Sequence, residues 1–569
     1  MQKRWVLVPE CDRITSEGLQ KELGIPPVLA QLLVQRGVTS FEQAKTFFRP
    51  SLSKLHDPFL MKDMDRAITR IETAIGRNEN ILIYGDYDVD GTTAVALVFG
   101  FFRQFHSRIE YYLPDRYTEG YGLSQQGIDY AAAHGFSLII TLDCGIKAVD
   151  RVAYANEKGI DVIIGDHHLP GDQLPPAHAV LDPKRWDCAY PFKELSGCGI
   201  GFKIVQAFLQ KNAMDAEMAY QFLDLVAVSI ASDIVPICDE NRILAHFGLH
   251  KLNTNPCCGL QALIELSGVR QGNFTINDIL FQLGPRINAA GRIEHARDAV
   301  RLLLSKSIKE ASLYGGEIDL QNTQRKDVDL KITEEAFSLV ENNTSVQPRR
   351  STVLYKEDWH RGVIGIVASR LVERYYRPTV VLTRTETHVT GSARSIMGFD
   401  LYAALSECSE LLDQYGGHKY AAGLTMAPEN ISRFEVKFEE VVSAQITDEM
   451  LVPEIGIDSV LELSQIDARF HRILRQFEPF GPQQEAPVFL AHQVLSLGPA
   501  QIVGGKHLKM QVIQKHSPPF TCIGFGLGHF AELINTGASF DLCFTLEENV
   551  WRQKRNLQLN IKDVRMCES

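Results

Sequence analysis

Three aspartates at alternate positions, followed by a glycine, form the strongest local motif of the sequence. They are Asp86, Asp88 and Asp90, and the glycine is Gly91. The three carboxylates can converge if the chain turns sharply, which a glycine permits, and hard divalent cations bind carboxylate oxygens. An EF-hand loop and a solvated acidic turn are the alternatives. The EF-hand is disfavoured because Leu97 stands where its last glutamate would be, and because a strand rather than a helix is predicted before the motif.

More acids and two histidines follow apolar runs further along the chain. These residues are Asp143, the triplet Asp166-His167-His168, and Asp233. Taken singly, Asp143 could be a helix N-cap, and the triplet could be a polar surface loop. Together with the first motif, however, they supply six carboxylates and two imidazoles. Mixed Asp and His ligands suit Mn²⁺, and in some settings Mg²⁺ or Zn²⁺. Two ions about 4 Å apart with a bridging carboxylate need roughly that many ligands.

The elements around these residues predict how they are brought together. Short apolar runs at residues 81–84, 138–142 and 162–165 each lead into one of the acidic groups, and helical patterns such as residues 147–158 separate them. Alternation of buried strands and helices is typical of a parallel α/β sheet. Ligands bind at the carboxyl ends of the strands in such sheets. The sequence therefore predicts a metal site at one edge of the sheet.

The rest of the chain predicts further domains. We divide it into an N-terminal extension at 1–50, an α/β catalytic domain at 51–300, a connecting helix at 301–345, a smaller α/β domain at 346–450 and a small β-barrel at 451–569. The connecting helix is predicted because residues 304–340 contain no proline and have helical apolar spacing. A length of 569 residues also suits three or four domains.

Bulk composition excludes several classes of protein. No run approaches the roughly 18 apolar residues of a membrane helix, and the apolar start is too short for a signal peptide, so a cytoplasmic location is predicted. The eleven cysteines contain no CxxC pair, which disfavours a disulfide framework. A net charge of −12 argues against a general nucleic-acid coat but allows a local basic surface. Residues 347–394 carry nine Lys/Arg against four Asp/Glu, although an ordinary charged helix face would also explain this excess.

The ordered acidic motifs resemble those of the DHH family of phosphoesterases. The resemblance implies Asp88 and Asp90 as metal ligands, Asp143 as the bridging ligand, and His167 and Asp233 as further ligands. We add Asp86, although other branches of the family keep no Asp there. His168 is expected to face the substrate phosphate, and Asp166 to orient a histidine. His168, Asp143 and Asp166 are thus the predicted catalytic residues.

The C-terminal half resembles the usual partner of the DHH domain, called DHHA1. The signature is Gly416-Gly417-His418 followed by Ala421-Ala422-Gly423. Segments 284–292, 359–368 and 391–395 resemble the single-strand-specific DNA exonucleases of the family, and residues 480–482 with 487–489 resemble the entry to their terminal OB-type barrel. The predicted substrate-binding residues are Arg116, Tyr121, Arg286, Asn288, Ser392, Arg394, Gly416, Gly417 and His418. Among them, Arg116 is expected to bind phosphate, Tyr121 to stack a base, and Ser392 with Arg394 to clamp a terminal phosphate.

The resemblance implies an exonuclease that removes mononucleotides from a 5′ end of single-stranded DNA, in recombination and repair. Two Mn²⁺ or Mg²⁺ ions are expected to activate water and neutralise phosphate charge. It implies a single-strand-binding protein and a helicase as partners, and we expect the protein to be a monomer. Two alternatives stay open: a DHH enzyme for short oligonucleotides, cyclic dinucleotides or pyrophosphate, which usually lacks the barrel, and a non-catalytic scaffold, which would have lost metal ligands.

Overall fold

The computed structural model of the protein describes residues 3–9, 11–269, 272–342, 349–551 and 554–567. The chain forms two compact units. The first contains Met1–Arg49, Val328–Glu478 and Ala486–Ser569, and the second contains Pro50–Asp327 and Pro479–Glu485. The boundary predicted near residue 345 lies outside the described residues. None of the described helices combines the length and the apolar character needed to cross a membrane.

The chain begins in the first unit with one strand and a group of helices. They are β1 (Arg4–Leu7), α1 (Arg13–Leu23), α2 (Pro27–Gln35) and α3 (Phe41–Phe48). Polar caps define two of the helix starts, because the side chain of Asp12 accepts from the Thr15 amide and that of Ser40 from the Gln43 amide.

The second unit is built on a parallel sheet. Its first elements are α4 (Met64–Gly76), β2 (Asn80–Gly85), α5 (Val89–Phe102), β3 (Ile109–Tyr112), α6 (Gln125–Ala133), β4 (Phe136–Leu142), α7 (Val149–Glu157), β5 (Asp161–Gly165) and β6 (Ala179–Leu181). The strand order is β3-β2-β4-β5-β6, and every neighbouring pair is parallel. The acids that follow β2, β4 and β5 therefore emerge at the same edge of the sheet, as the sequence predicts.

A layer of helices completes the second unit. It consists of α8 (Gly197–Lys211), α9 (Glu217–Tyr220), α10 (Leu223–Ser232), α11 (Asp239–Thr254), α12 (Cys258–Ser267), α13 (Ile276–Asp278), α14 (Gly284–Ile293) and α15 (Arg297–Leu303). Helices α5 and α10 are apolar on nearly every side because other elements enclose them. The apolar run before Asp233 lies in α10, so this acid arrives from the end of a helix rather than from a strand.

A long helix, α16 (Ile308–Asn342), runs from residues of the second unit into residues of the first. It covers most of the helix predicted at residues 304–340. The first unit continues with β7 (Thr352–Tyr355), α17 (Ile364–Tyr375), β8 (Thr379–Arg384), β9 (Val389–Arg394), α18 (Leu401–Ser406), β10 (Gln414–His418), β11 (Ala421–Met426) and α19 (Ile431–Gln445). These strands form a mixed sheet in the order β10-β11-β9-β8-β7, in which β7 and β8 are parallel and the other pairs are antiparallel.

The C-terminal part of the first unit is a small β-barrel. Its elements are β12 (Glu454–Ile457), β13 (Ser459–Val460), α20 (Ala468–Leu474), β14 (Phe489–Ser496), β15 (Gln501–Val503), β16 (His507–Ile513), β17 (Phe520–Gly524), α21 (Ala531–Ile534), β18 (Phe540–Trp551) and β19 (Lys554–Met566). Strand β14 pairs with both β18 and β16, which closes a ring through β19 and β17. Strand β1 pairs in parallel with β12, so the N-terminal residues belong to this unit.

Short helical turns connect several of these elements. The 3-10 turns are Leu52–Lys54, Pro58–Leu60, Ser409–Leu411, Pro428–Asn430, Leu463–Gln465, Arg475–Phe477 and Gly528–Phe530, and a π-helical turn spans Ile279–Leu283.

Candidate metal centre

The first acidic motif forms the turn between β2 and the start of α5. Asp86 follows the strand, Asp88 is the N-cap of the helix and accepts from the Gly91 amide at 3.1 Å, and Asp90 lies in the first turn. A side chain at Gly91 would place its Cβ 2.4 Å from the Asp86 carbonyl oxygen. The glycine therefore allows the tight strand-to-helix turn that gathers the carboxylates, and a strand before the turn does not fit an EF-hand.

Asp143 lies directly after β4 in a left-handed conformation, with φ of 61°. This backbone region is unfavourable for a residue other than glycine, and such strain is concentrated at functional sites. The Asp143 amide donates to the carbonyl oxygen of Gly165 at 2.9 Å. Its side chain is buried beside Gly197, where an added Cβ would lie 2.5 Å from the Asp143 Cβ.

The triplet Asp166-His167-His168 follows β5, and its acid accepts hydrogen bonds from the residues around it. Asp166 is buried and accepts hydrogen bonds from the amides of Ile146, His167 and His168 at 2.9, 2.7 and 3.1 Å. It also accepts from Nδ1 of His168 at 2.8 Å. Burial alone would raise the pKa of Asp166, but the hydrogen bond and charge of His168 outweigh it and hold that pKa at about 2. The hydrogen bond with His168 fits the orienting role that the family resemblance implies for Asp166, and that role stays a prediction.

His167 lies at the centre of the carboxylates. Its Nε2 is 3.1 Å from Asp143, 3.5 Å from Asp233 and 3.6 Å from Asp90. Asp233 is the C-cap of α10 and is followed by Ile234 with a φ of 59°, so a sharp turn ends the helix there. Burial lowers the pKa of His167, which favours the neutral imidazole that binds metal ions.

Potential ligand atoms form three overlapping groups, within each of which all atoms lie within 4.8 Å of one another. The groups are Asp86, Asp88 and Asp143; Asp143, His167 and His168; and Asp90, His167 and Asp233. Asp143 and His167 each belong to two groups. A carboxylate has two oxygens with which to bind two ions, so Asp143 fits the bridging ligand of a two-metal site. The structure thus brings every sequence-predicted metal ligand into one cluster.

The electrostatics of the cluster fit a divalent cation. Burial, together with repulsion from neighbouring carboxylates, raises the pKa of each of four acids: Asp86, Asp88, Asp143 and Asp233. Among the described residues, Oδ1 of Asp86 and Nδ1 of His167 are buried without a hydrogen-bond partner. Crowded carboxylates with an orphaned oxygen are stabilised by bound cations, and oxygen with imidazole ligands suits Mn²⁺ or Mg²⁺.

The predicted substrate residues of the second unit differ in their surroundings. The hydroxyl of Tyr121 lies 3.3 Å from both Nδ1 of His168 and the Asp143 carbonyl oxygen, while the residue as a whole is exposed. The Arg116 guanidinium stacks over the Tyr87 ring at 5.0 Å. Its positive charge favours the ionised carboxylate of Asp86, whose pKa burial raises. Both residues therefore adjoin the metal centre.

Arg286 and Asn288 lie on helix α14. Arg286 is buried and donates to Asp319 at 2.9 Å and to the carbonyl oxygens of Gln282 and Leu266. Asn288 is half-buried. Most of the N–H groups of Arg286 therefore already donate to acceptors within the protein. Substrate contacts by Arg286 and by Asn288 stay a prediction.

The predicted phosphate clamp of the first unit gathers on one face of the mixed sheet. Arg394 donates to Oγ of Ser392 at 3.2 Å. Strand register places Ser392 in one row with Gly423 and Gly416, and Arg394 in another with Ala421 and His418. Cross-strand partners share a face, and residues two apart on a strand do too. The structure therefore brings Ser392, Arg394 and the Gly416-Gly417-His418 segment together.

The start of α17 contributes a residue to this face that sequence reasoning did not single out. An added Cβ at Gly365 would lie 2.9 Å from Oγ of Ser392 and 3.0 Å from Nη2 of Arg394. The first turn of a helix exposes backbone N–H groups and favours anions. Gly365 lies in segment 359–368, which resembles the exonucleases of the family, and this resemblance could have identified it from the sequence.

Most arginines of the basic segment 347–394 are engaged within the fold. Ion pairs join Arg349 to Glu435, Arg350 to Asp448, Arg370 to Asp329 and Arg374 to Glu341. Arg377 donates to Thr352 and to the carbonyl oxygen of Arg349. The net charge of this segment therefore overstates its basic surface.

Comparison with known proteins places the site and fold in a class. The model described as "DHH family, N-terminal domain" matches residues 80–230, the DHHA1 domain matches 350–444 and the RecJ OB domain matches 457–563. The fold and the acidic cluster thus define a DHH protein with a DHHA1 domain and an OB domain.

Similar proteins narrow the class to one family. The chain is 39% identical to the single-stranded-DNA-specific exonuclease RecJ of Bacillus subtilis, over 99% of this chain and 71% of that protein. It is 32% identical to the RecJ of Escherichia coli, over 95% of this chain and 96% of that protein. The crystal structure of RecJ in complex with Mn²⁺ from Thermus thermophilus has a TM-score of 0.85, with 25% identity, over 100% of this chain and 80% of that one. The chain belongs to the RecJ family.

Proposed function

We propose that this protein is a single-stranded-DNA-specific exonuclease that releases mononucleotides in the 5′-to-3′ direction and acts in recombination and repair. The observation that carries the proposal is the cluster of carboxylates around His167, complete at every predicted ligand position, in a chain of the RecJ family. A scaffold that had lost catalysis would have lost some of these ligands. The RecJ OB domain favours a long single strand over a dinucleotide substrate.

The ligands of the proposed metal centre are Asp86, Asp88, Asp90, Asp143, His167 and Asp233, with Asp143 as the bridge. Two divalent cations held there, Mn²⁺ or Mg²⁺, would activate water and neutralise charge on the scissile phosphate. The carboxylates would position such ions, and the Asp88 cap and the close approach at Gly91 support the tight turn that gathers them before α5.

His168 is proposed to stabilise charge that develops on the phosphate. Asp166 holds its Nδ1, and this hydrogen bond fixes the ring beside the Tyr121 hydroxyl. A donor that is already oriented needs no reorganisation when charge develops, which makes it effective in catalysis. Tyr121 is an exposed residue whose ring is proposed to stack a base, and Arg116 is proposed as a nearby phosphate ligand.

A second group of residues is proposed to bind the 5′-terminal phosphate. Ser392, Arg394, Gly416 and His418 share one face of the mixed sheet, next to the first turn of α17, and Gly417 connects the last two. The guanidinium can bind two phosphate oxygens, and the hydroxyl can donate to a third. This arrangement supports recognition of a strand end rather than of an internal phosphate.

Several broader assignments belong to the same proposal. The domain limits are an N-terminal extension at 1–50, the DHH domain at 51–300, a connecting helix at 301–345, the DHHA1 domain at 346–450 and the OB-type domain at 451–569. The protein is proposed to act as a cytoplasmic monomer together with a single-strand-binding protein and a helicase. Arg286 and Asn288 are retained as substrate residues.

A time course on end-labelled DNA tests the proposed function. With Mn²⁺ or Mg²⁺, the 5′ label of a single strand should appear at once as a mononucleotide, while the 3′ label stays in strands that shorten gradually. A blunt duplex should resist, and a chelator should stop the reaction. Immediate release of the 3′ label, equal attack on duplex, or hydrolysis confined to a dinucleotide offered in parallel would contradict the proposal.

Arg394→Ala should weaken recognition of the strand end. Losing a charge-assisted hydrogen-bond pair costs about 1.5–3 kcal/mol, so kcat/KM for a 5′-phosphorylated strand should fall by roughly 10–100-fold. A strand with a 5′ hydroxyl should be affected much less, since it lacks the terminal phosphate. The matched control is Arg384→Ala on neighbouring strand β8, where the arginine makes an exposed ion pair with Glu357. An equal loss with both kinds of strand would contradict the clamp.

A further inference from the structure

The carboxylate of Asp90 is held by a set of donors that come from distant parts of the chain. It accepts from the amides of Gly197 and Cys198 at 2.6 and 2.7 Å, both in the first turn of α8, and from the hydroxyl of Ser229 on α10 at 2.7 Å. All of these groups are buried. We call the set Ser196, Gly197, Cys198 and Ser229 the Asp90 cradle.

The donors are distributed unequally over the two carboxylate oxygens. Oδ1 of Asp90 accepts from both Cys198 and Ser229, whereas Oδ2 accepts from Gly197. A carboxylate has about four lone-pair sites, two on each oxygen. Oδ1 is therefore saturated, and Oδ2 keeps one site. Oδ2 is also the oxygen that faces Nε2 of His167, at 3.6 Å.

The Ser229 hydroxyl lies within hydrogen-bond distance of two acceptors, Oδ1 of Asp90 and Oγ of Ser196. Oγ of Ser196 caps α8 by accepting from the Gly199 amide at 3.1 Å, and it lies 2.6 Å from Oγ of Ser229. An ionised carboxylate offers no proton and is the stronger acceptor, so Ser229 donates to Asp90. The Ser196 hydroxyl is a second acceptor within reach of the same Ser229 proton. Rotation of the Asp90 carboxylate would break its hydrogen bonds with the Gly197 amide, the Cys198 amide and the Ser229 hydroxyl.

We infer that Ser229 is a positioning residue of the metal centre, which fixes Asp90 so that it binds an ion through Oδ2 alone. This inference rests on the proposed function, which assigns Asp90 as a metal ligand. Residues that orient a ligand are commonly worth about 10–100-fold in metal affinity. The effect should be confined to the ion held by Asp90, His167 and Asp233, because Ser229, among the described residues, makes no hydrogen bond with Asp86, Asp88 or Asp143.

Titration of the metal-free full-length protein with Mn²⁺ tests this inference. Bound Mn²⁺ is followed by calorimetry, and by electron paramagnetic resonance of the free ion. In Ser229→Ala, one of two binding steps should weaken about tenfold while the other keeps the parent affinity. The control is Ser232→Ala, one turn further along α10, whose buried hydroxyl has no partner among the described residues. It should bind Mn²⁺ as the parent does.

A second readout separates positioning from stability. The rise in Tm that Mn²⁺ causes is measured for each variant against its own metal-free form, so that a loss of stability common to both forms cancels. Ser229→Ala should show a smaller rise than Ser232→Ala. Strand cleavage should need about tenfold more Mn²⁺ for half-maximal rate, with kcat near the parent value at saturation.

Two outcomes would overturn the inference. One is parent-like Mn²⁺ binding by Ser229→Ala, and the other is equal weakening of both binding steps together with a lower Tm of the metal-free form, since Ser229 would then support only the fold. Failure of the proposed function is distinguishable. In that case the parent would bind Mn²⁺ with the predicted dependence on Ser229 but would degrade no single strand.

Discussion

Asp143→Ala should abolish strand cleavage while leaving the fold intact. Asp143 is grouped with Asp86 and Asp88, and it also lies 3.1 Å from His167 of the other group, so its loss should disturb the binding of both ions. Metal ions supply several kcal/mol of stabilisation to a transition state of this kind, and each 1.36 kcal/mol corresponds to a factor of ten in rate. We therefore expect kcat on single-stranded DNA, measured with saturating Mn²⁺, to fall by at least about 10³-fold.

Metal-free Asp143→Ala should be at least as stable as the metal-free parent, although it has lost activity. Burial and repulsion from Asp90 and Asp88 raise the pKa of Asp143 above its ordinary value of 3.8. An acid whose pKa is raised by folding destabilises the folded state at any pH where it is ionised in the unfolded chain. Metal-free Asp143→Ala should therefore melt at or above the Tm of the metal-free parent at pH 7. The exposed acid Asp172 provides the control, since Asp172→Ala should change neither property. Parent-like cleavage by Asp143→Ala would show that the metal assignment is wrong.

Asp166→Ala should lose both stability and activity. The buried carboxylate of Asp166 accepts hydrogen bonds from three amides and from the His168 ring, and the substitution leaves all these donors without their acceptor. Removing one partner of a buried charged pair costs about 3–5 kcal/mol. Since the orientation of His168 is also lost, we expect the rate at saturating Mn²⁺ to fall by about 100-fold.

Asp166→Asn separates the two effects. Its side-chain carbonyl oxygen can still accept from some of the amides, so chemical denaturation should show a smaller loss in the free energy of unfolding than for Asp166→Ala. It carries no charge to pair with His168, so its cleavage rate should stay low. If Asp166→Ala were as stable and as active as the parent, Asp166 would not be the residue that organises this part of the site.

The acids at the strand ends were predictable because their signal is local. A short buried strand followed by a polar residue is visible in the sequence, and parallel strands in one sheet must end at one edge. Asp86, Asp143 and Asp166 follow from this rule. The β-barrel was predictable in kind for a similar reason, since its short alternating strands follow Pro453 directly.

Other parts of the site depend on contacts that no local pattern encodes. Asp233 looked like one more acid after an apolar run, but α10 is a helix enclosed on every side, and burial of that kind removes the amphipathic pattern by which helices are recognised. The donors to the Asp90 carboxylate lie 107 to 139 positions away from it in the sequence. The arginines of segment 347–394 counted as positive charge until the structure showed the carboxylates beside them, such as Asp329 next to Arg370.

The number of Mn²⁺ ions bound per chain tests the central claim most directly. Titration of the metal-free protein, followed by electron paramagnetic resonance, should reach two ions per chain, with a spin-coupled signal from ions that share the Asp143 carboxylate. Asp143→Ala should lose that coupled signal. Binding of a single uncoupled ion by the parent, or an unchanged coupled signal in Asp143→Ala, would contradict a paired metal centre bridged by Asp143.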